Sequence, residues 1–516
     1  MLPFNYAIQQ EESIYEPYTK FVWKNGDGEK FAASLSTMEM QLQLEKLLEY
    51  KGKLDSESID MATKELSETL IKTADIAGIK SVKGNVKMKT KIKKSENKPW
   101  FNGPCKQLKN NILRYAKLLH KQPYNPALLY EFRRVKKCYK TYLRKCKNEY
   151  NNKMWEHLSN LNNSNPKAFW DCYSKFQNLE KIHKDNPIPG HVWINHFKSL
   201  LNQPLKVDEA LNTSIDKYLA SNMDKEFNEL NFKISEHEIL SEIKRLKNKK
   251  SSGIDGILNE MLKCSQLYIL KHLHNIFNAI LLSGHYPTCW RTNTLTPLLK
   301  KSSIANPLNY RGIAIGCGLS KLFMKILQNR LSNFCDKNKT IPMCQIGFRK
   351  GCRTADHILT LKNIIDKYIY ANTRKYLYVC FVDYKSAYDT IWRKALFYKL
   401  LQNGIGGNFL KIIQSMYSDV YYCVKLQGRL TQTFTSCNGV KQGCVLSPLL
   451  FNIFLSDFPS IFNDENCHPV TVNSNKLNCL MFADDLILIS ETAIGLQTCL
   501  NKLKQYTNKW NLTVNG

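Results

Sequence analysis

Acids are scarce where this chain carries most of its charge. From Lys83 to Lys153, 21 Lys or Arg stand against three acids, Glu96, Glu131 and Glu149, a local charge of +18. That stretch supplies much of the net +30. A field of this kind attracts polyanions through counterion release, so a nucleic acid is the expected partner, with a solvated basic face as the bland alternative. Long apolar runs are also missing. None approaches the ~20 residues that cross a bilayer, and Met1-Leu2-Pro3-Phe4-Asn5 lacks the basic-then-apolar layout of a signal peptide. No Cys-x-x-Cys pair occurs among the 17 cysteines, which are scattered singly from Cys105 to Cys499. Zinc spacing and a disulfide framework are therefore not expected, and reduced thiols in a nuclear or cytoplasmic, non-secreted protein are.

What is present suffices for a real core: 43% hydrophobic residues, with 26 Tyr and 23 Phe. Residues 1–82 read as a mostly helical piece, with apolar spacing over Ser34–Tyr50 and Ser56–Ala77. Lys83–Lys98 reads as a Lys-rich linker. A basic helical, nucleic-acid-contacting region fills the rest of 83–176, its cations interleaved with Tyr115, Tyr139, Tyr142 and Tyr150. Those tyrosines suit a helix core better than base stacking. Residues 177–232 are polar and Asn-rich, a connector. A new unit spans 233–516, opening with a Ser235/Glu238 capping box. Lys250-Ser251-Ser252-Gly253-Ile254-Asp255-Gly256 reads as a turn-rich loop, Tyr376–Val382 as a buried strand, and Gln427-Gly428 as the turn of a hairpin. Pro448 falls early in a helix, where it is tolerated, and Ala493–Trp510 closes the chain as a helix.

Two adjacent carboxylates interrupt an apolar run in Leu480-Met481-Phe482-Ala483-Asp484-Asp485-Leu486-Ile487-Leu488-Ile489. Ionised Asp is unfavourable in a core unless paired or coordinated. A tight hairpin with the carboxylates at its tip resolves the conflict. A third carboxylate, Asp383, ends the strand about a hundred residues upstream. An antiparallel sheet with helices on one face would bring the three together. Oxygen ligands without His or Cys select Mg²⁺ over zinc. Two such ions ~3.5–4 Å apart clamp the attacking and leaving oxygens of phosphoryl transfer.

Phe381-Val382-Asp383-Tyr384-Lys385-Ser386-Ala387-Tyr388-Asp389, then Gly439–Phe454, then Phe482-Ala483-Asp484-Asp485 resemble the palm motifs A, B and C of reverse transcriptases. Lys250–Gly256, Asn309-Tyr310-Arg311-Gly312-Ile313 and Gln345–Thr354 resemble finger blocks of LINE-type (non-LTR) retrotransposon enzymes, and all six stand in the family's order. The resemblance implies an α+β fold, a right-hand polymerase with fingers and an antiparallel palm sheet, preceded by the helical basic region. It implies an RNA-directed DNA polymerase that joins dNTPs to a primer 3′-hydroxyl on an RNA template. Asp383, Asp484 and Asp485 would be the catalytic, metal-binding residues, with two Mg²⁺ (Mn²⁺ as a substitute) and Asp485 the less direct ligand. Tyr388 would be a steric gate against the ribose 2′-hydroxyl. Gln442 and Gly443 would pack against the incoming nucleotide, and Arg311 with Lys300 or Lys301 would meet its triphosphate.

Gly312 stands where the family most often has Pro. Neither the family's endonuclease nor its thumb is expected within 1–516, so the chain reads as truncated at both ends. The alternative to a polymerase is a non-catalytic nucleic-acid-binding remnant of such an element. A viral RNA-dependent RNA polymerase is disfavoured by Tyr388, and by Ala483 where Gly commonly precedes the Asp pair.

Overall fold

The structure is a computed structural model that describes residues 15–83, 98–164, 168–170, 172–173, 188–223, 225, 227–300, 303–370, 376–472 and 475–515. The chain divides into two compact units, 1–85 with 187–516, and 86–186. The linker expected at 83–98 lies almost wholly outside the described residues.

The larger unit is α+β. Its first sheet is mixed: Thr292–Leu299 pairs antiparallel with Tyr310–Ile315 and parallel with Val420–Leu426. Val420–Leu426 turns at Gln427-Gly428, both at positive φ, into Arg429–Thr431, as the turn chemistry predicts. Tyr15–Pro17 then adds to that edge, antiparallel to Arg429–Thr431. Residues 15–83 are tied in further by side chains. Tyr18 donates its hydroxyl to the Gly253 carbonyl. Asp60 accepts from the Thr288 amide and hydroxyl.

The expected helix over Ser34–Tyr50 is broken. Asp27–Leu35 and Met38–Lys46 are separate helices, because Ser36 and Thr37 turn their hydroxyls back onto the Ala33 and Ser34 carbonyls. Ser56–Ile76 is one helix, capped by the Asp55 carboxylate on the Ser58 amide. Residues 188–223 and 227–232, polar in sequence, contain the helices Gly190–Leu201 and Glu209–Asn222 and bury Trp193, Phe197 and Ile215. The Ser235/Glu238 capping box forms as expected. Asp255 reaches across to the Gly318 amide at 2.6 Å, capping the helix Gly318–Lys337; burial pushes that carboxyl up to about 6.

The second sheet is antiparallel, with Asp485–Ser490 between Cys479–Phe482 and Tyr378–Val382. Cys380, Val382, Met481, Leu486 and Leu488 face the main core. The opposite face, with Val379, Leu480, Ile487 and Ile489, packs against Ile364 and Tyr368 of the helix Thr354–Tyr370. Two sequence expectations are corrected here. Helices cover part of both faces, not one. Tyr378–Val382 is not buried either: it is the sheet's outer strand, and Phe381 is 72% exposed.

The smaller unit is a helical hairpin, Gly103–Lys121 against Pro126–Ser164. Cys105, Cys146 and Leu158 are buried, and Tyr115, Tyr139, Tyr142 and Tyr150 are half-buried. All 17 cysteines are free thiols. Among the described residues no helix is long and apolar enough to cross a membrane.

Candidate active site

The Asp-Asp stretch folds as the tight hairpin its pattern demands. Phe482 pairs with Asp485, leaving Ala483 and Asp484 as a two-residue turn. Ala483 holds φ at 57°, in the left-handed region that favours glycine. Its backbone is held by a residue sequence reasoning did not single out. Gln345, 1% exposed, accepts from the Ala483 amide at 2.8 Å and donates to the Ala483 carbonyl at 3.1 Å. The same side-chain oxygen accepts from the Gly347 amide at 2.9 Å. Main-chain bonds reinforce this bracket, Ile346 donating to the Met481 carbonyl and Met481 to that of Cys344. Gly347 lies so close that a Cβ there would fall 2.2 Å from the Ala483 nitrogen. The Gln345–Gly347 segment thus serves as the splint of the hairpin.

Val382 pairs with Leu486, so the next pair in that antiparallel register is Asp383 with Asp485, on one face of the sheet. Asp383 and Asp485 are exposed and Asp484 half-buried. Loss of solvent, then the charges of Asp484 and Asp383, push the Asp485 carboxyl above its ordinary range. Asp383 also accepts from the Asn515 side-chain amide at 2.7 Å, while its carbonyl accepts from the Asn515 backbone. As placed, no three His, Cys, Asp or Glu side chains among the described residues close into a metal-holding group. The donor chemistry nevertheless suits a hard divalent cation, since three carboxylates repel one another at one sheet end.

The nucleotide-side residues converge on the same region. Tyr388 stacks on Phe451 with ring centres 4.5 Å apart and 13° between planes, and its buried hydroxyl has no hydrogen-bond partner among the described residues. Burial and Asp484 raise that phenol, while Arg311 lowers it, so Tyr388 is within electrostatic reach of both. Asp389 was missed by the sequence reading. Burial pushes it up to about 7 against the pull of Lys300 and Arg311. Arg311 and Lys300 are exposed at the ends of adjoining strands. The loop after Asn438 hooks onto this group, Gly439 donating to the Ile391 carbonyl and Val440 to that of Tyr388. The Gln442 carbonyl accepts from Ala314, and its buried side-chain oxygen has no hydrogen-bond partner among the described residues. Gly443, at φ 112°, passes so near that a Cβ would meet the Ala314 carbonyl at 2.5 Å. Lys301, the other expected triphosphate contact, lies outside the described residues.

Residues 299–516 match the family model described as reverse transcriptase (RNA-dependent DNA polymerase). That segment, which carries all three carboxylates, is similar to a reverse transcriptase domain. It is similar to the probable RNA-directed DNA polymerase from transposon BS of Drosophila melanogaster, 29% identical over 286 residues, or 54% of this chain and 31% of that protein. The RNA-directed DNA polymerase from mobile element jockey of the same fly is 26% identical over 287 residues, 54% of this chain and 30% of its own length. The Pol polyprotein of the R2 element of Popillia japonica is 28% identical over 287 residues, 55% and 38%. These relatives are polymerases and a polyprotein of transposons and mobile elements, in line with the retrotransposon family that the ordered motifs resemble. The chain spans about a third of the length of the curated relatives it matches. A signal for Gln345 was present in the sequence, since it opens a quoted reverse transcriptase block. Asp389 ends another.

Proposed function

We propose that this chain is an RNA-directed DNA polymerase that transfers a nucleotidyl group from a dNTP to a primer 3′-hydroxyl. The observation that carries the reading is the strand register that sets Asp383 beside Asp485, at a hairpin whose turn bears Asp484, within electrostatic reach of Tyr388. Asp383 and Asp484 would hold two Mg²⁺, or Mn²⁺ in their place, with Asp485 as the outer carboxylate. When bound, such ions supply Lewis-acid stabilisation of phosphoryl charge and lower the pKa of the attacking hydroxyl.

The remaining work falls to the chain's own side chains. Arg311, Lys300 and Lys301 neutralise and orient the triphosphate through charge-assisted hydrogen bonds. Tyr388, fixed by its stack on Phe451, occupies the space beneath the sugar and excludes a 2′-hydroxyl. Gln442 offers a side-chain oxygen that has no hydrogen-bond partner among the described residues, and Gly443 lets the backbone approach the nucleotide.

An RNA template and a DNA primer are the partners. The four-part division into 1–82, 83–176, 177–232 and 233–516 gives the basic hairpin the task of gripping them. Arg133, Lys137, Lys140, Arg144 and Lys147 are all exposed and repeat at 4-3-4-3 spacing, one cationic stripe on one helix face. Work in the nucleus or cytoplasm follows from such partners. The test is dNTP incorporation on an annealed RNA template and DNA primer with Mg²⁺. The reading requires template-dependent extension, and strand binding without extension under all metal conditions would sink it.

A further inference from the structure

A second feature lies on the other flank of the Gln442-Gly443 loop. There a cavity of about 450 Å³ opens between that loop, the residues after the helix Glu236–Arg245, and the first turns of the helix Gly318–Lys337. Its volume falls among pockets that hold small ligands, ~300–1,000 Å³. Six cations line it, Arg245, Lys247, Lys250, Lys321, Lys325 and Lys441, and no carboxylate does.

The acids behind its walls, Glu242 and Asp255, are fewer than the cations that line it. Glu242, behind the wall, pairs with both Arg245 and Lys325 at 2.6 Å, one carboxylate for two cations. Lys321 donates to the Ser251 carbonyl at 3.3 Å and lies within electrostatic reach of the buried Asp255 carboxyl, with no ion pair among the described residues. Lys441 is 3% exposed, yet its ammonium makes no ion pair or hydrogen bond among the described residues. Its neighbours are the ring faces of Tyr286 and Tyr417, at 5.4 and 5.8 Å. A buried ammonium without a counter-ion is unfavourable, and burial drives this one down to about 8. Tyr286, Asn293 and Ser320 add polar atoms to the same walls.

We propose that this cavity is a phosphate-binding site in which Lys441 and Lys321 hold a phosphoryl oxyanion, with Lys250 and Lys247 at its mouth. Phosphate suits it because several ammoniums can each donate to a different oxygen of one compact anion. The group is either a backbone phosphate of a bound strand or the polyphosphate of a free nucleotide or of pyrophosphate. The site stands on its own geometry and survives if the three-carboxylate reading fails, since none of Asp383, Asp484 and Asp485 lines it.

The full chain, its Lys441→Met and Lys321→Met variants and a Lys441→Arg control decide the matter. Two probes are titrated, pyrophosphate by calorimetry and a fluorescent single-stranded oligoribonucleotide by anisotropy across a salt series. Each Met variant is expected to weaken at least one probe fivefold or more, and Lys441→Arg to retain binding. If the strand is the source, the slope of log affinity against log salt falls by about 0.7 per removed charge, with pyrophosphate unaffected. If free polyphosphate is the source, pyrophosphate weakens and the strand does not. Unchanged affinity for both probes in folded Met variants overturns the proposal. Should Lys441→Met fail to fold, Lys321→Met with Lys250→Gln at the mouth carries the same test.

Discussion

Replacing Gln345 by Leu keeps roughly the same bulk in a closed space but removes the amide that brackets Ala483. Three buried backbone groups lose their partner: the Ala483 amide, the Ala483 carbonyl and the Gly347 amide. Each unsatisfied group costs about 1–3 kcal/mol. At the low to middle part of that range, the cost is about 3–6 kcal/mol. Ala483 favours relaxation once the bracket is gone, because a non-glycine residue in the left-handed region carries roughly 1–2 kcal/mol of strain that the wild-type turn already holds. The main-chain bonds of Ile346 and Met481 remain, so the sheet survives while the turn relaxes. If only about 1.4 kcal/mol of that cost is expressed where the carboxylates sit, the effect is tenfold. The assay is single-nucleotide primer extension over a Mg²⁺ titration, with thermal unfolding in parallel. The half-maximal Mg²⁺ concentration should rise at least tenfold, with template-primer affinity retained. Wild-type Mg²⁺ dependence and rate in a folded Gln345→Leu protein would refute the splint.

Gly347→Ala tests the same contact by crowding. Its Cβ must move backbone atoms 2.2–2.9 Å away, so extension should fall at least tenfold; an unaffected rate would show that the hairpin tolerates displacement. Tyr388→Val leaves space beside Phe451 and should admit ribonucleotides, read as the ratio of rNTP to dNTP incorporation; an unchanged ratio counts against the gate. The pH response follows from the raised Asp485 carboxyl. Its folded pKa exceeds the unfolded value, so its stability contribution in metal-free protein is fully present below the ordinary carboxylate range. That contribution is lost as pH rises through the raised value. Melting of metal-free protein should therefore weaken across that window, and Asp484→Asn should shift the window to lower pH. A pH response identical in wild type and variant would contradict the coupling.

Much of this arrangement is legible in sequence because it is local. The Ser235/Glu238 box, the Gln427-Gly428 turn and the apolar strands flanking Asp484-Asp485 each follow from a few neighbouring residues. Phe381 was misjudged as buried because periodicity reports apolar character, while edge position depends on which strands pair. Ser36 and Thr37 break a helix through side-chain bonds that an apolar count ignores. Gln345 and Asp389 stand in quoted blocks, yet their roles escaped because their partners stand far away in the chain: no local pattern shows that a Gln will hydrogen-bond a turn 138 residues on. The helices within 188–232 were hidden by polar, Asn-rich composition, although Trp193 and Phe197 fill space in the core.

The account rests most heavily on the carboxylates. Its most direct test compares the wild-type chain with Asp484→Asn in Mg²⁺-dependent incorporation of one dNTP on an RNA template and DNA primer, with template-primer binding measured alongside. Loss of even about 3 kcal/mol of metal-assisted stabilisation corresponds to roughly a hundredfold. Incorporation should fall by that much or more while binding stays within about twofold. Incorporation that persists at a wild-type rate in Asp484→Asn would contradict the assignment of this hairpin as the catalytic element.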